Sequence, residues 1–391
     1  MKSIRSIWLA VIGLLFAVPA AESAQRIIYD FTSIADDIRQ PGQAQTLVPP
    51  AINDAGTVAF TIDVGGPVGS GIFSGSGGPL TTIVVDGAFH PSGRPSINDA
   101  GLVAFNSAVA PEGVFTGSGG PITTIADTSG LFRPGGFGGF PSVNDSGAVT
   151  FFSSFRTGGS GVFVGSGGPL TTIADTNGAF SSFFGAPSTI NDKGSVAFLG
   201  TLRTGVSGVF LWNSGPITTI ADTNGPFSGF FGGTASINDQ AVVAFLATQK
   251  SGGQGIFKGD GTQTVTFANT SGPFNSFGAD PSINDAGTVL FDAFLKNGKQ
   301  GIFTGPDPDV DNVIFVGDSL FGSTVKTLLI GPEGLNDAGQ IAFIAELANG
   351  KFTIARADPV GVVEVTPEPN SLMLCLLGLG GFLVMRRKMR R

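Results

Sequence analysis

The dipeptide Asn-Asp returns seven times, at Asn53, Asn98, Asn144, Asn191, Asn238, Asn284 and Asn336, with spacings of 45, 46, 47, 47, 46 and 52 residues. A period of that size marks a chain built from copies of one supersecondary unit, each too small to bury its apolar face alone. The residues after the dipeptide repeat as well. The run Asn53-Asp54-Ala55-Gly56-Thr57-Val58-Ala59-Phe60 has its counterpart from Asn98 to Phe105. Val149-Thr150-Phe151, Val196-Ala197-Phe198, Val289-Leu290-Phe291 and Ile341-Ala342-Phe343 keep the form, and only Ala241 stands in place of the Gly. A second module, Gly-Ile/Val-Phe, begins at Gly71, Gly113, Gly161, Gly208, Gly255 and Gly301. A turn such as Gly75-Ser76-Gly77-Gly78-Pro79 comes next, then a third module, Thr-Thr-Ile-Ala-Asp-Thr, clear at Thr123, Thr171 and Thr218.

Short runs of Val, Ile, Thr and Phe broken by Gly, Pro, Asn and Asp are strand signals. Asn-Asp-x-Gly fits a tight hairpin turn, because Asn and Gly tolerate positive φ. Between residues 25 and 366 no stretch has a helical period. Each unit therefore predicts four strands: one before Asn-Asp, then Val-Ala-Phe, Gly-Val-Phe and Thr-Thr-Ile-Ala. Seven such units predict an all-β, seven-bladed β-propeller. The last unit runs through Lys351-Phe352-Thr353-Ile354 and ends without its fourth strand, while Ile27 to Phe31 and Thr32-Ser33-Ile34-Ala35-Asp36 supply a spare one. That strand is expected to complete the last blade and close the ring. An open β-solenoid is the alternative; it would require polar capping units, which the sequence lacks.

Composition removes much chemistry. Of 391 residues only one is His (His90) and one Cys (Cys375). A Ser-His-Asp or Cys-His site could use only His90, a Cys/His zinc site is not available, and an intrachain disulfide is impossible. The termini mask the charge of the body. Residues 25–366 hold 14 basic and 27 acidic side chains, a net charge of −13. Such a body repels phosphate backbones, so no nucleic-acid partner is expected.

The ends carry their own signals. Lys2 and Arg5 precede an apolar run, Ile7 to Val18, and Ala20-Ala21-Glu22-Ser23-Ala24 offers small residues for cleavage. Residues 1–24 read as a secretory signal peptide; an N-terminal membrane anchor is the other reading. At the far end come Pro367-Glu368-Pro369, an apolar stretch from Leu372 to Met385, and then Arg386, Arg387, Lys388, Arg390 and Arg391. Basic residues after an apolar segment stay cytoplasmic, so the body would face outward. The apolar stretch makes about 21 Å of helix against a bilayer core of about 30 Å, which suits a stop-transfer signal better than a permanent anchor.

The ordered trio in residues 367–391 resembles the PEP-CTERM sorting signal of Gram-negative bacteria. That resemblance implies an exosortase-type sorting enzyme as partner, delivery to the cell surface or extracellular matrix, and membrane contact through the C-terminal helix at least before processing. An ordinary C-terminal anchor is the alternative. The Asn-x-x-Gly-x-Val-Ala-Phe pattern also resembles tandem-repeat proteins found with such tails, which supply no catalytic residues to carry over. Three regions result: signal peptide 1–24, propeller 25–366 and sorting signal 367–391.

Candidate sites compete with structural roles. The Ile-Ala-Asp position holds Asp36, Asp127, Asp175, Asp222, Asn269 and Asp318, with Val85 and then Asp86 in the first unit. A ring of carboxylates could collect calcium, but Asp and Thr also cap chain reversals. Asp307-Pro308-Asp309-Val310-Asp311-Asn312, in the unit lengthened to 52 residues, spaces its acids like a calcium loop, with Asp318 at the twelfth-ligand place. Asn312 stands where such a loop needs Gly, so a solvated loop is the competing reading, and calcium is the one cofactor considered. Phe132, Phe137, Phe140, Phe180, Phe183, Phe184, Phe227, Phe230, Phe231, Phe274 and Phe277 could stack sugars but read as packing between blades. His90 reads as a loop residue and Cys375 as an apolar filler. The expectation is a non-enzymatic surface or matrix protein that binds exopolysaccharide or another surface component through the loops of one face. A carbohydrate-active enzyme using a symmetry-breaking acid such as Glu112 or Glu333, and a self-associating layer protein, are the alternatives.

Overall fold

The computed structural model describes residues 24–365 except 37, 39–46, 64–69, 88, 110, 185–187 and 231–232. The expected leader, the Pro367-Glu368-Pro369 motif, the apolar stretch and the basic end lie outside the described residues, as does Phe231. Among the described residues no helix is long and apolar enough to cross a membrane. The chain divides into two units. One is Ile27–Gly361; the other joins Met1–Arg26 with Val362–Arg391, of which 24–26 and 362–365 are described.

Unit Ile27–Gly361 carries seven antiparallel sheets, the blades of a seven-bladed β-propeller. Each repeat supplies its strands in the predicted order. In the third blade these are Phe132–Val143, Val149–Phe155, Ser160–Gly165 and Thr171–Asp175, from the axis outward. In the next three blades the innermost strand is broken in two, as Phe180–Phe183 and Thr189–Ile190 show. Phe151 pairs with Phe163, and the same cross-strand partnership recurs as Phe105 with Phe115, Phe198 with Phe210 and Phe245 with Phe257. The innermost strand adds a buried Phe edge-on to three of these pairs: Phe132 lies 4.9 Å from Phe163, Phe180 lies 5.0 Å from Phe210 and Phe227 lies 4.8 Å from Phe257. Burying one such ring contributes about 2–3 kcal/mol. These rings pack in turn against the preceding blade, where Val114, Ile125 and Ala126 meet Phe132 and Phe151.

The ring closes as expected. The N-terminal strand, Ala24–Asp36, is the hydrogen-bonded neighbour of the C-terminal strand, Phe352–Val365, and becomes the outer strand of the seventh blade. Its side chains join the core between the last and first blades, where Ile34 and Ile38 meet Phe60, Ile344 and Ile354. The seam copies a covalently continuous joint. The Gly77 turn of the first blade rests on Thr32, just as the Gly119 turn of the second rests on Thr81.

Candidate functional site

Each Asn-Asp turn is built by its own side chain. The Asn144 backbone carbonyl accepts from Gly147 N at 2.9 Å, and Asn144 Oδ1 accepts from Ala148 N at 2.9 Å. The residue after the turn adopts positive φ, from 75° to 80° at the six Gly and 60° at Ala241. The turn side chains then reach sideways. Asn53 Nδ2 donates to the carbonyl of Asn98, Asn98 to Asn144, Asn144 to Asn191, and so on until Asn336 donates back to Asn53 at 2.9 Å. A second ring runs beside the first: the amide of Asp54 donates to Asp99 Oδ1, each next Asp does likewise, and Asp337 returns to Asp54 at 2.8 Å. All seven Asn are buried, with 3–6% exposed. Burial pushes the carboxyls of Asp54, Asp192 and Asp337 above their ordinary value. The neighbouring amide opposes that shift, and the adjacent carboxylates reinforce it.

Inside these rings lies an axial cavity of about 160 Å³, lined by residues of all seven blades and floored by Pro332 and Glu333. Below the floor the repeats lose their symmetry. Arg94, of the second blade, pairs with Asp280, of the sixth, at 2.9 Å, so this ion pair crosses the axis. The guanidinium of Arg94 also sits 4.5 Å above the Phe140 ring. Glu333, from the seventh blade, is held by Ser142 and Ser96; burial raises its carboxyl, while those hydrogen bonds and the Arg94 charge act against the rise. Asp292, near Asp280, is pushed up to about 6, chiefly by burial and then by the Asp280 charge. A smaller pocket of about 20 Å³ lies among Pro49, Pro95, Arg94, Phe140, Pro141 and Glu333.

The long unit explains why Glu333 is there. Gly301 pairs with Phe315 as Gly255 pairs with Asn269, at the same separation along the chain. The Asp307–Asp311 loop is therefore no insertion, and the extra residues fall between Phe315 and Asn336. They form the Ser319–Leu320 hairpin and the Gly331-Pro332-Glu333 crossing of the axis. The same register corrects one assignment. Phe315, not Asp318, fills the place held by Asp127, Asp175 and Asp222, whose partners are Gly113, Gly161 and Gly208.

The other sequence candidates lie away from the axis. Asp127, Asp175, Asp222 and Asn269 accept amide hydrogen bonds from residues two or three further on and so cap the crossovers between blades. Asp36 accepts from Ser33 and Thr353 at the seam. In the acidic loop, Asp307 Oδ1 accepts from the amide of Asp309, Asp311 Oδ2 from the amide of Asp307, and Asp318 from Phe315. Among the described residues no group of three or more His, Cys, Asp or Glu side chains is placed to hold a metal ion. Glu112 accepts the amide of Gly135 at 2.7 Å on the surface. His90 Nδ1 is 3.9 Å from Asp86 Oδ1, with most of its side chain in solvent. Phe132, Phe180, Phe227, Phe230 and Phe274 are core, whereas Phe184 is 41% exposed. Sequence reasoning missed Arg94, Asp280 and Asp292. Their signal was present: Arg94 and Asp280 share one place, four residues before Asn-Asp, where the other five repeats carry Pro, Phe or Thr, and Asp292 stands eight residues after Asn284, where the other repeats carry uncharged residues.

The match to a known family spans more than half of the chain: residues 141–358 fit the family of unknown function DUF7453. The chain belongs to this family. No curated protein matches it. Among solved structures, the β-propeller domain of the Trilobed protease from Pyrococcus furiosus is similar at a TM-score of 0.51 and 10% identity, over 88% of this chain and 100% of that one. A puromycin-hydrolyzing peptidase from Mycobacterium tuberculosis is similar at 0.53 and 12%, over 88% of this chain and 57% of that one. TolB from Acinetobacter baumannii is similar at 0.43 and 15%; the matched region covers 64% of this chain and 61% of TolB. At such identities the likeness is one of fold.

Proposed function

We propose that this DUF7453 protein is an exported, non-enzymatic binding propeller of the cell surface or matrix, sorted through its tail by an exosortase-type enzyme. The observation that carries the non-enzymatic reading is the state of the axis. Two of the charged groups that break the sevenfold pattern pair with each other, Arg94 with Asp280, and Glu333 is held by Ser96 and Ser142. The mouth above them is formed by turns whose amides already bind the neighbouring carboxylate. A catalytic site needs groups left free for substrate, and the axis spends them on the scaffold. The export and sorting parts rest on Lys2, Arg5 and the apolar run behind them, and on Pro367-Glu368-Pro369 with its basic end.

One observation favours a carbohydrate-active enzyme instead. A carboxyl raised by burial, as at Glu333, is what a general acid requires, and it opens onto the axial cavity. A single experiment separates the two. The purified protein is incubated with exopolysaccharide of its host, and retention and released oligosaccharide are both measured. Retention without release, unchanged in Glu333→Gln, is the expected result. Release that Glu333→Gln abolishes would replace binding with catalysis, and absence of retention would remove polysaccharide as the ligand. For export, fractionation should find the body outside the cytoplasm, and deletion of residues 367–391 should change where it accumulates.

A further inference from the structure

The seam strand differs from every other outer strand in how it is tied to the next blade. From the first blade to the sixth, four or five residues lead from an outer strand to the next inner one, as 128–131 do between Asp127 and Phe132, and seven, 316–322, lead to Ser323–Leu329 of the seventh. Between Asp36 and Ala51 there are 14, residues 37–50. A short crossover locks an outer strand to the inner strand of its neighbour. No hairpin joins Ala24–Asp36 to its neighbour Phe352–Val365, so non-covalent contacts alone hold it to the seventh blade, and the long connector replaces the short lock to the first. Those contacts are specific. Thr32 Oγ1 donates to Asp358 at 3.0 Å, Thr353 Oγ1 donates to Asp36 at 2.8 Å, and Ile34 and Ile38 fill the core behind. They also give the direction of pairing, antiparallel, because residue numbers rise along one strand as they fall along the other.

We propose that this strand is exchangeable between copies: the N-terminal strand of one molecule completes the seventh blade of a second. Every contact that the strand makes on its own blade exists identically on the blade of another copy, so exchange loses none of them. The connector gives the reach. Ile38 donates to the Phe352 carbonyl and travels with the strand, and Leu47 packs against the body. The eight residues between them extend to roughly 30 Å. The partner is thus a second copy of this chain, recognised through its own seam.

The test uses the hydroxyls of Ser33 and Thr353, which lie 3.4 Å apart across the seam. Two full-length chains, Ser33→Cys and Thr353→Cys, each also carrying Cys375→Ser, are unfolded together, refolded in detergent at high concentration and oxidised. Exchange yields a disulfide-linked species of twice the mass, whose yield rises with protein concentration and whose linked peptides contain positions 33 and 353. The chain carrying both cysteines, refolded alone and dilute, closes the bond within itself and reports the geometry. Monomer alone from the mixture, while the double variant closes internally, overturns the proposal. A second measurement needs no cysteine: light scattering on the parent chain refolded over the same concentrations. A single monomeric mass throughout overturns it equally, and a dimer fraction that grows with concentration supports it.

Discussion

Asn144 shows how one side chain serves both its own turn and the next blade. Its Oδ1 accepts from Ala148 N and Ser146 Oγ, and its Nδ2 donates to the Asn191 carbonyl. Truncation to Ala leaves buried groups on two blades without partners, at about 1–3 kcal/mol each. Asn144→Ala should therefore lower unfolding stability by about 2–4 kcal/mol, measured by urea denaturation. Ala241 is the opposite case. It occupies the one turn where a Cβ is carried at φ 60°, a conformation costing an L-residue roughly 1–2 kcal/mol. Ala241→Gly should stabilise by about 1 kcal/mol, with part of the relief lost to a freer unfolded chain. A decrease in the denaturation midpoint would contradict this. The turn role of Asn-Asp-x-Gly was legible from its residue types. The rings were not, because the lateral partner of each Asn lies on the next blade, 45 to 52 residues on or, for Asn336, 283 residues back, and only the blade angle brings it near.

The strand after each turn explains why Gly-Ile/Val-Phe tolerates no side chain at its first position. A Cβ on Gly113 would stand 2.2 Å from the Ala126 carbonyl oxygen, in the strand that bulges between Val114 and Phe115. Gly113→Ala should cost about 1–3 kcal/mol through backbone displacement. Gly130→Ala, where nothing lies within 4 Å, should leave the same midpoint nearly unchanged. Strand number and order were legible because the period-2 and turn signals agree in every unit. The position of Asp318 was not. The 52-residue spacing points to a longer acidic loop, whereas the ladder keeps Gly301 opposite Phe315 and moves the added residues onto the axis. A count of residues locates a lengthened unit; only the register shows which element absorbs the excess. Glu333 stands out in the sequence as a unique acid, and its place on the axis results from that displacement.

Across the whole molecule, acidic groups gathered toward the axis set the response to pH. Asp292 is held at about 6 against an ordinary 3.8, so the folded chain keeps this proton where the unfolded chain has lost it. Its contribution is fully present below about pH 4 and disappears as pH rises through 6. The raised carboxyls of Asp54, Asp192, Asp337 and Glu333 act in the same direction. Stability should therefore fall by about 2–3 kcal/mol between pH 4 and 7 on account of Asp292. Asp292→Asn should flatten that slope, as read from melting temperatures across the range. The central claim is the closed ring, and it was legible in the missing fourth strand of the last unit and the spare strand at the start. The most direct measurement is a disulfide across the seam at the rim, where Asp337 N lies 2.8 Å from Asp54 Oδ1. In a Cys375→Ser chain, Asp54→Cys with Asp337→Cys should oxidise to an intrachain bond as readily as Asp99→Cys with Asp145→Cys, the same joint between consecutive blades. If the second pair closes and the first does not, the ring is open.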